Sequence, residues 1–349
     1  MSSEKTSTEL YELGEFRLID RLTGPFRPKN PSTAMGVGDD AAVISPRENR
    51  TVITTDLLLE GIHFDLTYFP LKHLGYKAVV VNLSDIYAMN ATPTQITVSI
   101  GVSKRFSVED LEELYAGIRL ACERYGADLV GGDTSSSYTG LTISVTAIGE
   151  ANELELVYRS GAQVTDLICV TGNLGAAYMG LQLLEREKKV FASNGNSKPQ
   201  LEGYDYILER ILKPEARKNI LQTLKEAQIK PTSMIDISDG LSSELLHICK
   251  NSERGCRIYL EKIPIDEQTS QMAQEMGIEP SIAALNGGED YELLFTVPIS
   301  THETVSAIEG VTIIGHITEA TTGAYLVTPS GDEIKLTAQG WNALKKDKD

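Results

Sequence analysis

The stretch from Thr94 to Gly126 carries two opposite hydrophobic rhythms in succession, and this limits the fold more than any other feature. Ile96, Val98 and Ile100 alternate with Thr97 and Ser99, a period of two that predicts a half-buried strand over 94–102. Leu111, Leu114, Tyr115, Ile118, Cys122 and Tyr125 then recur at i, i+3, i+4, the rhythm of an amphipathic helix. Gly126 supplies the residue that closes it, and a short strand, Ala127–Val130, runs on into GGDT. Strand, helix and strand in so short a span call for a mixed α and β fold.

The rest of the chain repeats that mixture. Ala41–Ile44 and Thr51–Leu59 read as strands, 74–90 as a helix, and Leu141–Ile148 alternates again. With 349 residues the chain exceeds the roughly 250–300 at which a single core stops growing, so two domains are expected. The polar stretch EANELE places the boundary near 150–160, giving domains 1–152 and 153–349. In the second block Leu167–Thr171 is a strand, GNLG a turn, and a helix begins at Ala176. Residues 189–204, rich in Asn, Ser, Gly and Lys, read as a mobile surface loop. Met234–Lys250 is a strand-to-helix unit, Tyr291–Val297 a further strand, and KKDKD a frayed tail. The fold class is α+β (α/β) in two domains.

A net charge of −17 repels nucleic acid and anionic membranes, and would repel a phosphorylated substrate unless something local reverses the sign. No run approaches the ~20 apolar residues of a membrane span. The start, MSSEKTSTELYELGEF, lacks the basic and apolar regions of a signal peptide, so a cytoplasmic protein is expected. Cys122, Cys169, Cys249 and Cys256 form no C-x-x-C pair and read as reduced structural thiols.

Aspartates recur beside Gly, Thr or Ser at strand ends: Asp39 and Asp40 in GVGDDAAVI, Asp56 in TTDLLLEGIHF, Asp133 in VGGDTSSS, Asp236 and Asp239 in IDISDGL. Turn chemistry explains any one of them. Asp85 is different, because it lies in an apolar helix, NLSDIYAM, where an unpaired carboxylate is costly. Clustered carboxylates repel one another unless cations lie between them, and hard oxygen ligands suit Mg or Ca. An acidic pocket filled with Mg becomes an anion receptor, which resolves the conflict with a phosphorylated substrate. The chain has no Walker A motif and no protein-kinase set. GNLGAAYMG after a strand is a weak phosphate-loop signal, and plain helix–strand packing is the stronger reading.

Seven strings in order, GDDAAV, TTDLLLEGIHF, NLSDIYAMNATP, GGDT, RSGA, IDISDGL and NGGEDYELLFT, carry a more specific signal. The chain resembles bacterial thiamine monophosphate kinase, of the aminoimidazole ribonucleotide synthetase superfamily, from Gly14 to beyond Gly340. That resemblance implies an N-terminal domain that binds ATP and Mg and whose sheet forms a barrel with a second subunit. A C-terminal α+β domain completes the expected site. It implies a homodimer that transfers the γ-phosphoryl of ATP directly to thiamine monophosphate with several Mg ions. By motif it assigns Asp40, Asp56, Asp85, Asp133, Asp236 and Asp239 to the metal shell, with Thr54 and Thr55 adding oxygens. Of these, Asp40, Asp56, Asp85 and Asp236 are the catalytic set.

The resemblance assigns Tyr115, Gly132, Asp133, Arg159 and Ser238 to ATP, and His63, Glu289 and Trp341 to thiamine monophosphate. Simpler readings stand beside these: core packing for Tyr115, a surface-turn cap for Arg159, domain packing for Trp341, a strand-end histidine for His63. The strand 94–102 offers a face or an edge to a partner. Asn90 stands where the family often has Gly, and Tyr87 where it often has Ala. Other members of the superfamily fit less well. Selenophosphate synthetase needs a reactive Cys before Cys122, the hydrogenase-maturation member a Cys after Cys256, and the purine-synthesis members lack GGEDYEL. A non-catalytic acidic metal module leaves the ordered strings unexplained.

Overall fold

The computed structural model describes residues 21–35, 43–44, 49–194 and 199–338. They form two compact units, Met1–Tyr87 with Ala91–Leu156, and Ala88–Asn90 with Val157–Asp349. Each mixes sheet and helix.

In the first unit β1 (Thr33–Met35) pairs with β2 (Val43–Ile44) in a small ribbon. Of the expected strand Ala41–Ile44 only β2 lies within the described residues. The main sheet holds β3 (Arg50–Leu59), β4 (Thr92–Val102), β5 (Asp128–Ser136) and β6 (Thr142–Ala151), in the order β3–β6–β4–β5. The alternation read in 94–102 is that of an interior strand. Both edges of β4 are paired, so it offers a partner only its face, not an edge. The parallel pair β4–β5 needs a crossover, and α2 (Val108–Tyr125) supplies it. Ser107 and Asp110 close a capping box at its start, and Gly126 ends it in the left-handed region at φ 79°.

Helix α1 (Leu71–Ala88) is apolar nearly all round, with Leu74, Val79, Leu83 and Ile86 buried. It packs against α2 through two glycines. A Cβ on Gly75 would lie 2.0 Å from the Leu114 carbonyl oxygen, and one on Gly117 only 1.9 Å from that of Lys72. Ile86 in turn fills the space over Gly149 of β6. The opposite face of the sheet is open on β3, where Ile53 is 65% and Leu57 52% exposed.

Tyr87 and Asn90, the two departures from the family pattern, each fit their positions. Tyr87 is buried with its ring centroid 6.1 Å from that of Tyr125. Asn90 has φ 54°, a conformation glycine adopts freely and asparagine tolerates best among other residues.

The second unit is built on a mixed sheet ordered β13–β12–β9–β11–β7–β10–β8. Its strands are β7 (Leu167–Thr171), β8 (Ser233–Asp236), β9 (Arg254–Tyr259), β10 (Leu293–Val297), β11 (Val311–Glu319), β12 (Ala324–Val327) and β13 (Glu333–Lys335). Its helices are α3 (Ala176–Asn194), α4 (Asp205–Leu212), α5 (Lys218–Glu226), α6 (Leu241–Ser252), α7 (Glu267–Glu275), α8 (Pro280–Asn286) and α9 (His302–Ser306). β7 and β10 are buried on both faces. Ile168, Val170 and Leu294 face one core cluster, and Cys169, Leu293 and Phe295 face another. That is why both strands read as unbroken apolar runs.

Part of the expected loop 189–204 is helical, because α3 continues to Asn194. The run EREKKVFAS holds good helix formers and no breaker, so nothing stops the helix before Asn194 and Gly195. All four cysteines are free and buried. No helix among the described residues is long and apolar enough to cross a membrane.

Candidate active site

The first group of functional side chains lies on the helix-covered face of the first unit's sheet. Strand alternation puts Thr54 and Asp56 of β3 on that face, beneath α1. The Thr54 hydroxyl donates to Asp85 Oδ2 at 2.6 Å, which ties strand to helix. Burial, and then the negative charge of Asp85, push the Asp56 carboxyl up to about 6. Two carboxylates that disfavour each other's charge make a cation receptor. Thr55 points the other way, and its hydroxyl is engaged within the sheet. It donates to the Val145 carbonyl at 3.0 Å and accepts from Thr146 at 3.1 Å.

Asp133 is not brought to this pair within the unit. Register links Asp56 through Val145 and Val98 to Gly132, and Leu57 through Ser144 and Ser99 to Asp133. Asp133 therefore shares the open face with Leu57, three strands and roughly 14 Å from β3. A shift of register between Ile96 and Thr97 sets this placement. Gly132 is demanded by the pairing itself, since a Cβ there would lie 1.8 Å from the Val98 carbonyl oxygen.

Tyr115 is a core residue of α2, 7% exposed and edge-on to Phe26 at 6.4 Å between ring centroids, and burial pushes its hydroxyl up to about 12. His63 closes the turn after β3: its Nδ1 accepts from the Leu59 amide at 3.0 Å, so in the neutral ring Nε2 holds the proton. Asp39, Asp40 and Trp341 lie outside the described residues.

The second group forms where two loops of the second unit run side by side. The Ile237 amide donates to the Glu292 carbonyl at 2.8 Å, the Tyr291 amide to Ile237 at 2.9 Å, and the Glu289 amide to Ser238 at 2.7 Å. This ladder joins IDISDG to NGGEDYE and gathers Asp236, Ser238, Asp239 and Glu289. Close approach makes Gly288 necessary, because a Cβ there would lie 2.5 Å from the Ser238 carbonyl oxygen. Glu289 and Tyr291 both hold positive φ, 59° and 50°, a strain that recurs at functional loops.

Asp236 is buried and Asp239 half-buried. Burial raises the Asp239 carboxyl; His247 and Arg159 pull it down, and Glu289 pushes it up. Arg159 is exposed beside the edge strand β8, where the Met234 amide donates to Tyr158 at 2.9 Å.

Glu244 is the member that sequence reasoning missed. It lies in the first turn of α6, and its Oε1 accepts from the Asp239 amide at 3.2 Å. Burial first, and the charges of Asp239 and Asp236 after it, push its carboxyl up to about 8. Only its position five residues after Asp239, in the opening turn of a helix, hinted at it.

GNLG is a packing turn and not a phosphate loop. The Asp290 carboxylate already occupies the start of α3, accepting from the Gly175 amide at 2.8 Å and 3.1 Å. A Cβ on Gly172 would lie 2.1 Å from a carboxylate oxygen of Glu292.

Burial pushes the Asp290 carboxyl up to about 7 against the pull of Arg210 and the Gly175 amide. A raised folded-state value means its stabilising effect is complete below the ordinary 3.8 and is lost as pH rises through about 7. Metal-free protein should therefore lose melting temperature as pH rises from about 4 to about 7, and Asp290→Asn should flatten that part of the curve. Parallel curves for the two proteins would refute it.

Among the described residues no three His, Cys, Asp or Glu side chains converge to hold a metal ion by themselves. The donors present still fit Mg. Each group offers at least two carboxylates with hard oxygen donors, and Mg is usually held by one or two carboxylates plus substrate phosphates, not by an all-protein cage. Among the described residues the buried Glu244 Oε2 has no hydrogen-bond partner, as expected of a donor set completed by a ligand.

The family model of AIR synthase related protein, N-terminal domain, matches residues 38–151, which sets the class of the first unit. The thiamine-monophosphate kinase of Aquifex aeolicus (strain VF5) is 33% identical, over 95% of this chain and 98% of its own length. The crystal structure of thiamine-monophosphate kinase from Stenotrophomonas maltophilia K279a superposes with a TM-score of 0.76 at 30% identity, covering 92% of this chain and 98% of that one. A structure described as AaThiL complexed with AMPPCP and TMP superposes at 0.75 with 31% identity, covering 97% and 100%. The chain belongs to the thiamine-monophosphate kinase family, a family of phosphotransferases.

Proposed function

We propose that the protein phosphorylates thiamine monophosphate to thiamine diphosphate with ATP, by direct in-line transfer of the γ-phosphoryl group. The observation that carries this is the likeness, over 97% of the chain, to a structure holding an ATP analogue and TMP. The carboxylate groups of both units support it. Asp40, Asp56, Asp85, Asp236 and Asp239, with Thr54, are the proposed metal ligands; Asp133 and Thr55 face the open side of the first unit's sheet and are not on the side of Asp56 and Asp85. Asp40, Asp56, Asp85 and Asp236 are the catalytic members. Mg bound there would neutralise the phosphates and draw charge from the γ-phosphoryl as it transfers.

The chain's own residues supply orientation. Thr54 fixes the Asp85 carboxylate, and the ladder between Ile237 and Glu289 fixes Ser238, Asp239 and Glu289. Gly132, Ser238 and Arg159 are proposed to contact ATP, while Tyr115, buried against Phe26, keeps its core-packing reading. His63, Glu289 and Trp341 are proposed for thiamine monophosphate. The acceptor is already an anionic phosphate oxygen, so no strong general base is required. A reaction that consumes ATP fits the proposed cytoplasmic location. Incubation with ATP, Mg2+ and a panel of phosphorylated acceptors, with products identified by mass, tests the assignment. Thiamine diphosphate should form, and ADP appearing only with a purine-pathway or selenium substrate would sink it.

The domain roles follow: residues 1–152 bind ATP and Mg and dimerise, and 153–349 form the α+β partner domain. The proposed homodimer uses the open face of the first unit's sheet to build a barrel. Ile53 and Leu57 on that face are apolar surface a second copy would cover. Light scattering should give twice the chain mass, and Leu57→Lys should shift it toward monomer. A wild-type monomer at all concentrations would refute the dimer.

A further inference from the structure

Glu244 draws attention because its burial has no internal explanation. It is 2% exposed on the first turn of α6. One carboxylate oxygen accepts from the Asp239 amide, which holds the turn between Ser238 and Gly240 against the helix. The other oxygen has no partner among the described residues, although it is buried and feels the charges of Asp239 and Asp236. A buried carboxyl oxygen without a partner is costly in such a place unless a donor reaches it. The carboxylates around it attract a cation, and a hydrated cation brings water donors with it.

We propose that Glu244 is a positioning residue of the metal side of the site: Oε1 fixes the Asp239 turn, and Oε2 accepts a hydrogen bond from water held by a divalent cation at Asp236 and Asp239. This rests on the assignment of those two aspartates to the metal shell. Groups that orient a metal's ligands and waters in this way typically contribute 10- to 100-fold to affinity.

The test is Mn2+ binding to the full chain, read from the electron paramagnetic resonance of free Mn2+, with and without AMPPCP, for wild type, Glu244→Gln and Asp236→Asn. The amide of Glu244→Gln keeps an oxygen for the Asp239 amide and loses only the anionic acceptor. Its Mn2+ affinity should fall about 10- to 100-fold. Its melting temperature in EDTA should not fall, because the amide keeps the hydrogen bond to the Asp239 turn and replaces a carboxyl whose charge burial and the neighbouring carboxylates disfavour.

If Glu244 only braced the backbone, Glu244→Gln would bind Mn2+ like wild type, and that result overturns the inference. A drop in metal-free melting that accompanies the lost binding overturns it too, since Glu244 would then be a structural charge. If Asp236→Asn also binds like wild type, the metal assignment itself fails. If Asp236→Asn alone loses binding, that assignment stands and only the role of Glu244 falls.

Discussion

Asp85→Asn should lower turnover at saturating Mg2+ about 100-fold or more while leaving the metal-free protein as stable as before, or slightly more so. The amide keeps an oxygen for the Thr54 hydroxyl, so the tie between β3 and α1 survives. What disappears is one negative charge from a pair. That charge now raises the carboxyl of Asp56. Without it Asp56 ionises more easily, and the repulsion within the empty site is relieved. A divalent cation loses an anionic ligand at the point where phosphoryl charge must be balanced. Rates measured across an Mg2+ titration, beside melts in EDTA, separate the effects. A lowered metal-free melting temperature with near-normal turnover would make Asp85 a structural residue.

Glu292→Gln should have the largest effect on stability, about 3–5 kcal/mol, or roughly 6–20 °C in melting temperature for a unit of this size. Glu292 is fully buried. Its carboxylate accepts from Thr171 Oγ1 at 2.5 Å, from Arg210 Nη2 at 2.8 Å and from Arg217 through Nε and Nη2. Arg210 is itself buried and also donates to the Asp290 carbonyl at 2.7 Å. Removing the carboxylate leaves a buried guanidinium without its counter-charge, which costs far more than a hydrogen bond. The same network braces the strained Glu289–Tyr291 turn, so binding on the thiamine phosphate side should weaken as well. Calorimetry of the variant gives the stability directly. A loss below about 1 kcal/mol would show that Arg210 finds other acceptors.

The elements most legible in the sequence were those with one dominant period or an uninterrupted apolar run. β7 matches the Leu167–Thr171 reading residue for residue, and α2 ends at Gly126 as its rhythm required. The long reach of α3 was less visible, because polar composition over 189–194 suggested a loop while helix propensity there was high.

Side-chain placement was harder to read. The face that Asp133 occupies depends on a one-residue register shift in the β4–β5 pairing, and such a shift leaves no trace in periodicity. Glu244 stands in no recognisable pattern, and Glu292, although within NGGEDYELLFT, reads there as a strand residue; each matters through partners far along the chain or at a backbone amide. GNLG carries glycines after a strand, only a weak phosphate-loop signal, and packing is its stronger reading. Those glycines admit Glu292 and the Ala283–Ala284 backbone.

The most direct measurement uses ATP labelled in its γ-phosphate, with thiamine monophosphate and Mg2+. The label should appear in the terminal phosphate of thiamine diphosphate, one for each ADP formed, and none should transfer when the divalent cation is removed. Label released only as inorganic phosphate with thiamine monophosphate unchanged, or transfer that persists without any divalent cation, would contradict a metal-assisted direct transfer.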